Sequence, residues 1–147
     1  MKYNISKLNE INPELSDRLQ NTCYDLMGCC QEIHKEMGPF LNEYIYQDAL
    51  EIVLNEREIP HFKEFYFSVV FHGKKISHKH YVDFFCREKV YIECKAVEQL
   101  NSDHRQQLWN YMRLTNVPIG ILYNFAPVMS QCERYYLDTA TKMLYLF

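Results

Sequence analysis

The chain has 147 residues, 48% of them apolar and 24% charged, which excludes a disordered segment and fits one ordinary domain with a core of its own. Its net charge of -3 speaks against tight non-specific nucleic-acid binding by the isolated domain, although charge segregated onto one face would still admit a nucleic-acid partner. The six cysteines form no CxxC pair or zinc-finger spacing, the N-terminal MKYNISKLNE has no apolar leader, and no apolar run approaches the ~18 residues of a membrane span, so the chain reads as cytoplasmic with free thiols.

The first element predicted is a helix from Asn12 to Met37. Its apolar residues Leu15, Leu19, Cys23, Leu26, Met27, Cys30, Ile33 and Met37 recur at intervals of three and four. Asn12-Pro13 supplies the cap and first position, and Gly38-Pro39 ends it. A second helix is expected from Leu41 to Glu56, with Leu41, Tyr44, Ile45, Leu50, Val53 and Leu54 as its apolar side. An aromatic and β-branched strand follows from Phe62 to Phe71, then a turn at His72-Gly73-Lys74-Lys75. Two more strands, His78 to Cys86 and Val90 to Val97, flank the turn Arg87-Glu88-Lys89. Asn101 to Asn116 is expected to be helical with Ser102 as its cap, Pro118 to Phe125 an apolar strand, and 133–147 a terminal hairpin. The order is ααβββαβ plus a C-terminal hairpin, an α/β domain spanning 1–147. The crossover from Val90 to Phe125 makes its sheet mixed. Twelve Tyr and nine Phe are more aromatic area than so small a core takes, so part is expected in an interface or a groove.

The chemistry lies in the hairpin YVDFFCREKVYIECK. A three-residue turn sets Cys86 against Val90, Phe84 against Ile92 and Asp83 against Glu93. One face then collects Val82, Phe84, Val90, Ile92 and Cys94, and the other Tyr81, Asp83, Phe85, Tyr91, Glu93 and Lys95. Two carboxylates on directly opposed positions repel unless a positive group sits between them. Mg²⁺ takes one or two carboxylates plus water and substrate phosphate, and Lys95 on the same side could steer an attacking water. The plainer alternative is a salt bridge of Lys95 with Glu93 or Asp83 on a solvated face, which predicts no metal. His78 and His80 could reach a zinc ion together with a cysteine, but no third ligand has a predictable position. Cys29 and Cys30 read as half-buried apolar residues.

Taken in order, a helix bearing Glu43, then Asp83, then Glu93-Cys94-Lys95, a helix and an apolar strand resemble the PD-(D/E)XK nuclease superfamily. The chain is more specifically similar to the bacterial GxxExxY proteins over about residues 26–125. The matching blocks are GPFLNEYIYQDAL at 38–50, Asp83, ECKAVE at 93–98, HRQQLWNYMRLT at 104–115 and GILYNF at 120–125. Phe40 stands where the family name has its first glycine, and Tyr81 where many members carry a basic residue. The resemblance implies a restriction-endonuclease-like core with a mixed sheet flanked by helices. It implies Mg²⁺ or Mn²⁺ on Asp83 and Glu93, the Cys94 backbone carbonyl as a further ligand, and Glu43 at the metal directly or through water. Lys95 would position the attacking water, and Gln107 rather than Gln106 would line the site. Tyr46 and Tyr111 are expected to be packing residues with bonded hydroxyls, and His104 an exposed first-turn residue. The implied activity is hydrolysis of nucleic-acid phosphodiesters, DNA or RNA, with the acidic pI pointing to a homodimer, a partner or a structured substrate. The alternative is a catalytically silent nuclease-fold module that binds nucleic acid or a protein.

Overall fold

The computed structural model describes residues 5–147; the first four, part of the N-terminal stretch read above as lacking an apolar leader, lie outside the described residues. A short strand β1 (Ser6–Lys7) and one helical turn α1 (Leu8–Ile11) precede the long helix α2 (Pro13–Met37). Asn12 caps α2 as its position predicts, its side chain accepting the Leu15 N–H at 3.1 Å, with Pro13 behind it. Gly38 ends the helix at φ 78°, a left-handed turn that costs a residue without Cβ little. Helix α3 (Glu43–Glu56) buries Tyr46, Leu50 and Leu54, a stripe at intervals of four. Tyr44, expected on that stripe, is exposed and Tyr46 takes its place. A buried tyrosine needs a partner for its hydroxyl, and Tyr46 has two: it donates to Gly38 O at 2.7 Å and accepts from Leu41 N at 3.1 Å. Its ring stacks on Phe125 at 4.7 Å.

That arrangement also moves the helix start from Leu41 to Glu43. Between the helices, Phe40 sits at φ 66° with its ring exposed and its N–H on Ala126 O at 3.0 Å. This left-handed backbone is what a glycine would favour, and it costs an L-residue roughly 1–2 kcal/mol. Phe40→Gly is therefore expected to raise stability by about 1 kcal/mol in urea unfolding, the gain being reduced by glycine's freer unfolded chain. A loss instead would show that the exposed ring makes contacts that outweigh the strain.

The remaining elements are β2 (His61–Phe67), β3 (Val70–Phe71), β4 (Lys74–Lys75), β5 (His80–Cys86), β6 (Val90–Lys95), α4 (Ser102–Thr115), β7 (Ile119–Asn124), β8 (Gln131–Leu137) and β9 (Leu144–Leu146). Seven strands form one sheet in the order β1-β9-β8-β7-β6-β5-β2. The β6–β7 and β1–β9 pairs are parallel and the others antiparallel, so the sheet is mixed and α4 is the crossover. One face packs on α2 and α3 through Leu26, Ile33, Tyr46, Leu50, Phe84, Ile92 and Ile121. The other packs on α4 through Leu108, Trp109, Met112, Tyr91 and Leu122.

Three local expectations shift. The strand from Phe62 to Phe71 divides: β3 leaves the sheet and pairs with β4 alone. His72 and Gly73 are both left-handed (φ 50° and 73°), which makes a two-residue turn, so Lys74 and Lys75 belong to a strand. The cap of α4 is Asn101 rather than Ser102. Asn101 accepts the His104 N–H at 3.0 Å and its own N–H donates to His104 Nδ1 at 3.2 Å, satisfying two end groups at once.

Candidate functional site

The β5–β6 hairpin turns at Arg87-Glu88-Lys89, with Arg87 and Glu88 left-handed and Lys89 N–H on Cys86 O. Arg87 ties this turn to α2 by a two-pronged ion pair with Asp25. The register pairs Cys86 with Val90, Phe85 with Tyr91 and Phe84 with Ile92, as the spacing requires. Beyond Phe84 the carboxylates replace the ladder. Asp83 Oδ2 accepts the Cys94 N–H at 2.8 Å, and Glu93 Oε1 accepts the Asp83 N–H at 3.1 Å.

The neighbouring edge strand accounts for this opening. β2 pairs Lys63 with Phe84 and Phe65 with Val82, leaving Glu64, at φ 52°, opposite Asp83. The alternation of faces breaks there. Val82, expected beside Phe84, lies instead with Phe65, Phe85 and Tyr91 on the α4 side, while Phe84 and Cys86 stay on the α2–α3 side. A left-handed residue in one strand and a face switch in the next both fall at Asp83. The sheet parts where the acids sit.

Burial makes the pair electrostatically tense. Glu93 is only 4% exposed. Desolvation, then the charge of Asp83, push its carboxyl up to about 8, against the pull of the Asp83 N–H and Lys95. Asp83 is raised too, chiefly by burial, and held back by the Cys94 N–H, Lys95 and Gln47. Glu43, the first residue of α3, is raised by burial and by Asp83, and Lys95 opposes the shift. Three carboxyls and one ammonium therefore converge from α3, β5 and β6. Among the described residues Lys95 makes no direct ion pair, and Glu93 is not on a solvated face. A surface salt bridge does not describe this arrangement.

The donor set suits a hard divalent cation. Among the described residues no three of His, Cys, Asp and Glu are placed to hold an ion by themselves. Two carboxylates with room for water and phosphate are the usual demand of Mg²⁺, whereas a structural zinc takes four protein ligands. A positive ion at Asp83 and Glu93 would offset the burial that raises both and the Asp83 charge that raises Glu93 further.

The flanking helices bring different groups. Gln47 Nε2 donates to Glu43 Oε2 at 3.2 Å and also reaches Asp83. Gln107 is exposed and donates to the Tyr111 hydroxyl at 3.2 Å. Tyr111 is the α4 residue whose hydroxyl senses Glu93 and Asp83, after burial as the larger influence. It also packs edge-on to Phe67 at 5.0 Å, so the packing expected of it and a position beside the site coexist. Gln107 thus approaches the acids through Tyr111; their spacing of four was the signal in the sequence. His104 is half-buried as a cap, its pKa lowered by burial and then by Lys95.

Sequence reasoning assigned no role to Asn124, a lone buried amide in the apolar run PIGILYNF. Its side chain accepts the Val97 N–H at 3.0 Å and donates to Val97 O at 2.9 Å and Gln131 Oε1 at 3.1 Å. With Phe125 N–H on Lys95 O at 2.9 Å, it clamps the chain leaving β6 just past the lysine. Asn124→Ala orphans both Val97 backbone groups and is expected to cost about 2–3 kcal/mol in urea unfolding. A change under ~0.5 kcal/mol would mean that water replaces the amide and the clamp is dispensable.

A family model described as the PD-(D/E)XK nuclease superfamily matches residues 20–135. Among solved structures, the crystal structure of SSO0001 is similar to this chain with a TM-score of 0.51 and 26% sequence identity. The likeness covers 67% of this chain and 53% of that one, so it spans about half the length of SSO0001. No curated protein matches. Among the described residues no helix is long and apolar enough to cross a membrane.

Proposed function

The chain belongs to the PD-(D/E)XK nuclease superfamily, and from that premise we propose that it is a metal-dependent nuclease that hydrolyses phosphodiester bonds of nucleic acid. The observation that carries this reading is the parted β5–β6 hairpin, where the buried Glu93 and the half-buried Asp83 are both raised in pKa beside Lys95. A structural hairpin would have no reason to bury one acid against another with no direct ion pair to offset either.

In this proposal Asp83 and Glu93 hold Mg²⁺ or Mn²⁺ with the Cys94 carbonyl, and Glu43 joins directly or through water. A bound divalent cation supplies positive charge against the scissile phosphate and acidifies water. Asp83 and Glu93 fix the position of that charge because each is held by a backbone N–H of the opposite strand. Lys95 donates to the attacking water and orients it for in-line attack on phosphorus. Gln47 keeps Glu43 turned toward Asp83, and Tyr111, steadied by Gln107, closes the α4 side.

Within the superfamily we place the chain with the GxxExxY proteins. Glu43 of the ExxY pair stands at the acids, and Tyr46 locks the loop that delivers it. Free cysteines, five of the six buried, suit the reducing cytoplasm we propose for it.

The test is cleavage of labelled single- and double-stranded DNA and RNA with Mg²⁺ or Mn²⁺, with EDTA controls and a Lys95→Ala preparation. Metal-dependent cleavage that falls at least ~100-fold in Lys95→Ala is expected. Equal cleavage in the variant would identify a contaminant and sink the proposal. Binding without cleavage of any substrate would mark a catalytically silent module.

A further inference from the structure

The charge of -3 conceals a segregated patch. Residues 65–82, between Glu64 and Asp83, contain none of the nineteen Asp and Glu residues. They contain Lys74, Lys75 and Lys79, and three of the six histidines, His72, His78 and His80. This stretch is the β3–β4 ribbon with the strand ends that carry it, and residues 71–79 are all exposed. Among the described residues none of the three lysines is in an ion pair.

The ribbon is also aromatic and apolar where a solvated arm should not be. Phe71 is 65% exposed and stacks on the ring of His72 at 4.0 Å, and Val70 and Ile76 are exposed beside it. At its base the half-exposed rings of Tyr66 and Tyr81 lie 5.6 Å apart, and Tyr81 precedes Asp83 by two residues. Only two residue pairs, a turn and the Ile76 N–H on Val69 O at 2.8 Å hold the ribbon beyond the last β2–β5 pair, Phe67 with His80, so its apolar side chains have little of the fold to pack on.

We propose that residues 66–81 form an arm that holds single-stranded nucleic acid and feeds it to Asp83 and Glu93; the proposal rests on the nuclease reading for the identity of the substrate. Charge complementarity selects a polyanion, since the arm is basic on a protein that is otherwise acidic. The exposed rings select unpaired bases, whose faces are free to stack. Apart from its lysines and serines the arm has no side chain that reads base edges, so it is expected to grip backbone and base faces with little sequence preference.

The test is fluorescence anisotropy with a labelled thymidine 20-mer and the matching duplex, in EDTA so that no cleavage occurs, over a range of salt. Wild type is expected to bind the single strand more tightly than the duplex, with affinity falling as salt rises. Lys74→Glu/Lys75→Glu/Lys79→Glu is expected to weaken binding at least ~30-fold and reduce the salt slope by about 2, at ~0.7 per phosphate contact. Phe71→Ala is expected to weaken it ~5–30-fold with the slope unchanged, and Phe71→Tyr to restore it. Melting temperatures of these variants should match wild type, because the substituted side chains are exposed.

Affinity unmoved by both the lysine and Phe71 changes, a preference for duplex, or no binding by wild type would each overturn the arm. The nuclease reading fails separately. Arm-dependent binding with no cleavage of any substrate under Mg²⁺ or Mn²⁺ sinks catalysis and keeps the arm. Metal-dependent cleavage with arm variants binding like wild type does the reverse.

Discussion

Glu93→Gln is expected to cut hydrolysis by roughly 10³-fold while raising the melting temperature above pH 7. The activity loss follows from removing one of the two carboxylates proposed to hold the cation. Several kcal/mol of charge stabilisation go with it, and each 1.36 kcal/mol is tenfold in rate. The stability gain follows from the apo site. Glu93 is buried beside Asp83, and its ionised form is disfavoured first by desolvation and then by that neighbour. Glutamine keeps an oxygen for the Asp83 N–H, can donate to the Asp83 carboxylate, and carries no charge. Thermal melts in EDTA at pH 5 and pH 9 check this beside the cleavage assay. The variant should match wild type at pH 5 and exceed it at pH 9. Lower stability at both values would show that the carboxylate holds the hairpin together rather than waiting for a cation.

The metal-free protein is expected to lose stability as pH rises through about 8, and Mg²⁺ or Mn²⁺ to restore it. The folded-state pKa of Glu93 is raised from 4.5 to about 8, so between those values the folded chain holds a proton that the unfolded chain has released. Its contribution is complete below about pH 4.5 and is lost as pH climbs through 8. Asp83 and Glu43 are shifted the same way. Asp25, lowered chiefly by its bond to Arg87, has the opposite sign and weakens the fold in acid. Stability should therefore form a dome whose alkaline side belongs to the acids of the site. A divalent cation at 100 times its dissociation constant adds about 2.7 kcal/mol, or roughly 5–10 °C here. That shift should be large at pH 8–9 and small at pH 5–6, where protons compete. Equal shifts at both ends, or metal-free stability that rises above pH 7, would rule the account out.

Much of this was legible in the chain because it is encoded locally. Asn12-Pro13 and Gly38 mark both ends of α2, and a three-residue turn at Arg87-Glu88-Lys89 sets Phe84 against Ile92. The crossover from β6 through α4 to β7 indicated a mixed sheet, and the order of acids and lysine around that turn carried the resemblance that implied a nuclease-like core. The caps and the hairpin turn depend on contacts within a few residues, which spacing specifies.

The remainder depends on residues that are distant in sequence. The sequence by itself determined most of the elements, the hairpin register from Phe84 to Cys86, and the placing of Asp83, Glu93 and Lys95 on one hairpin. Only the tertiary structure decided that β2 lies beside β5, so that Glu64, left-handed within β2, lies opposite Asp83 where side chains replace the ladder between the acids. It likewise moved Val82 to the α4 face, put Tyr111 between Gln107 and the acids, made Asn124 a clamp on Val97, and lifted β3 out of the sheet into a ribbon. The physical reason is common to all of these: alternation along a strand states which side chains share a face, but which strand lies alongside, how deeply an acid is buried, and where alternation breaks are set by packing against partners elsewhere in the chain.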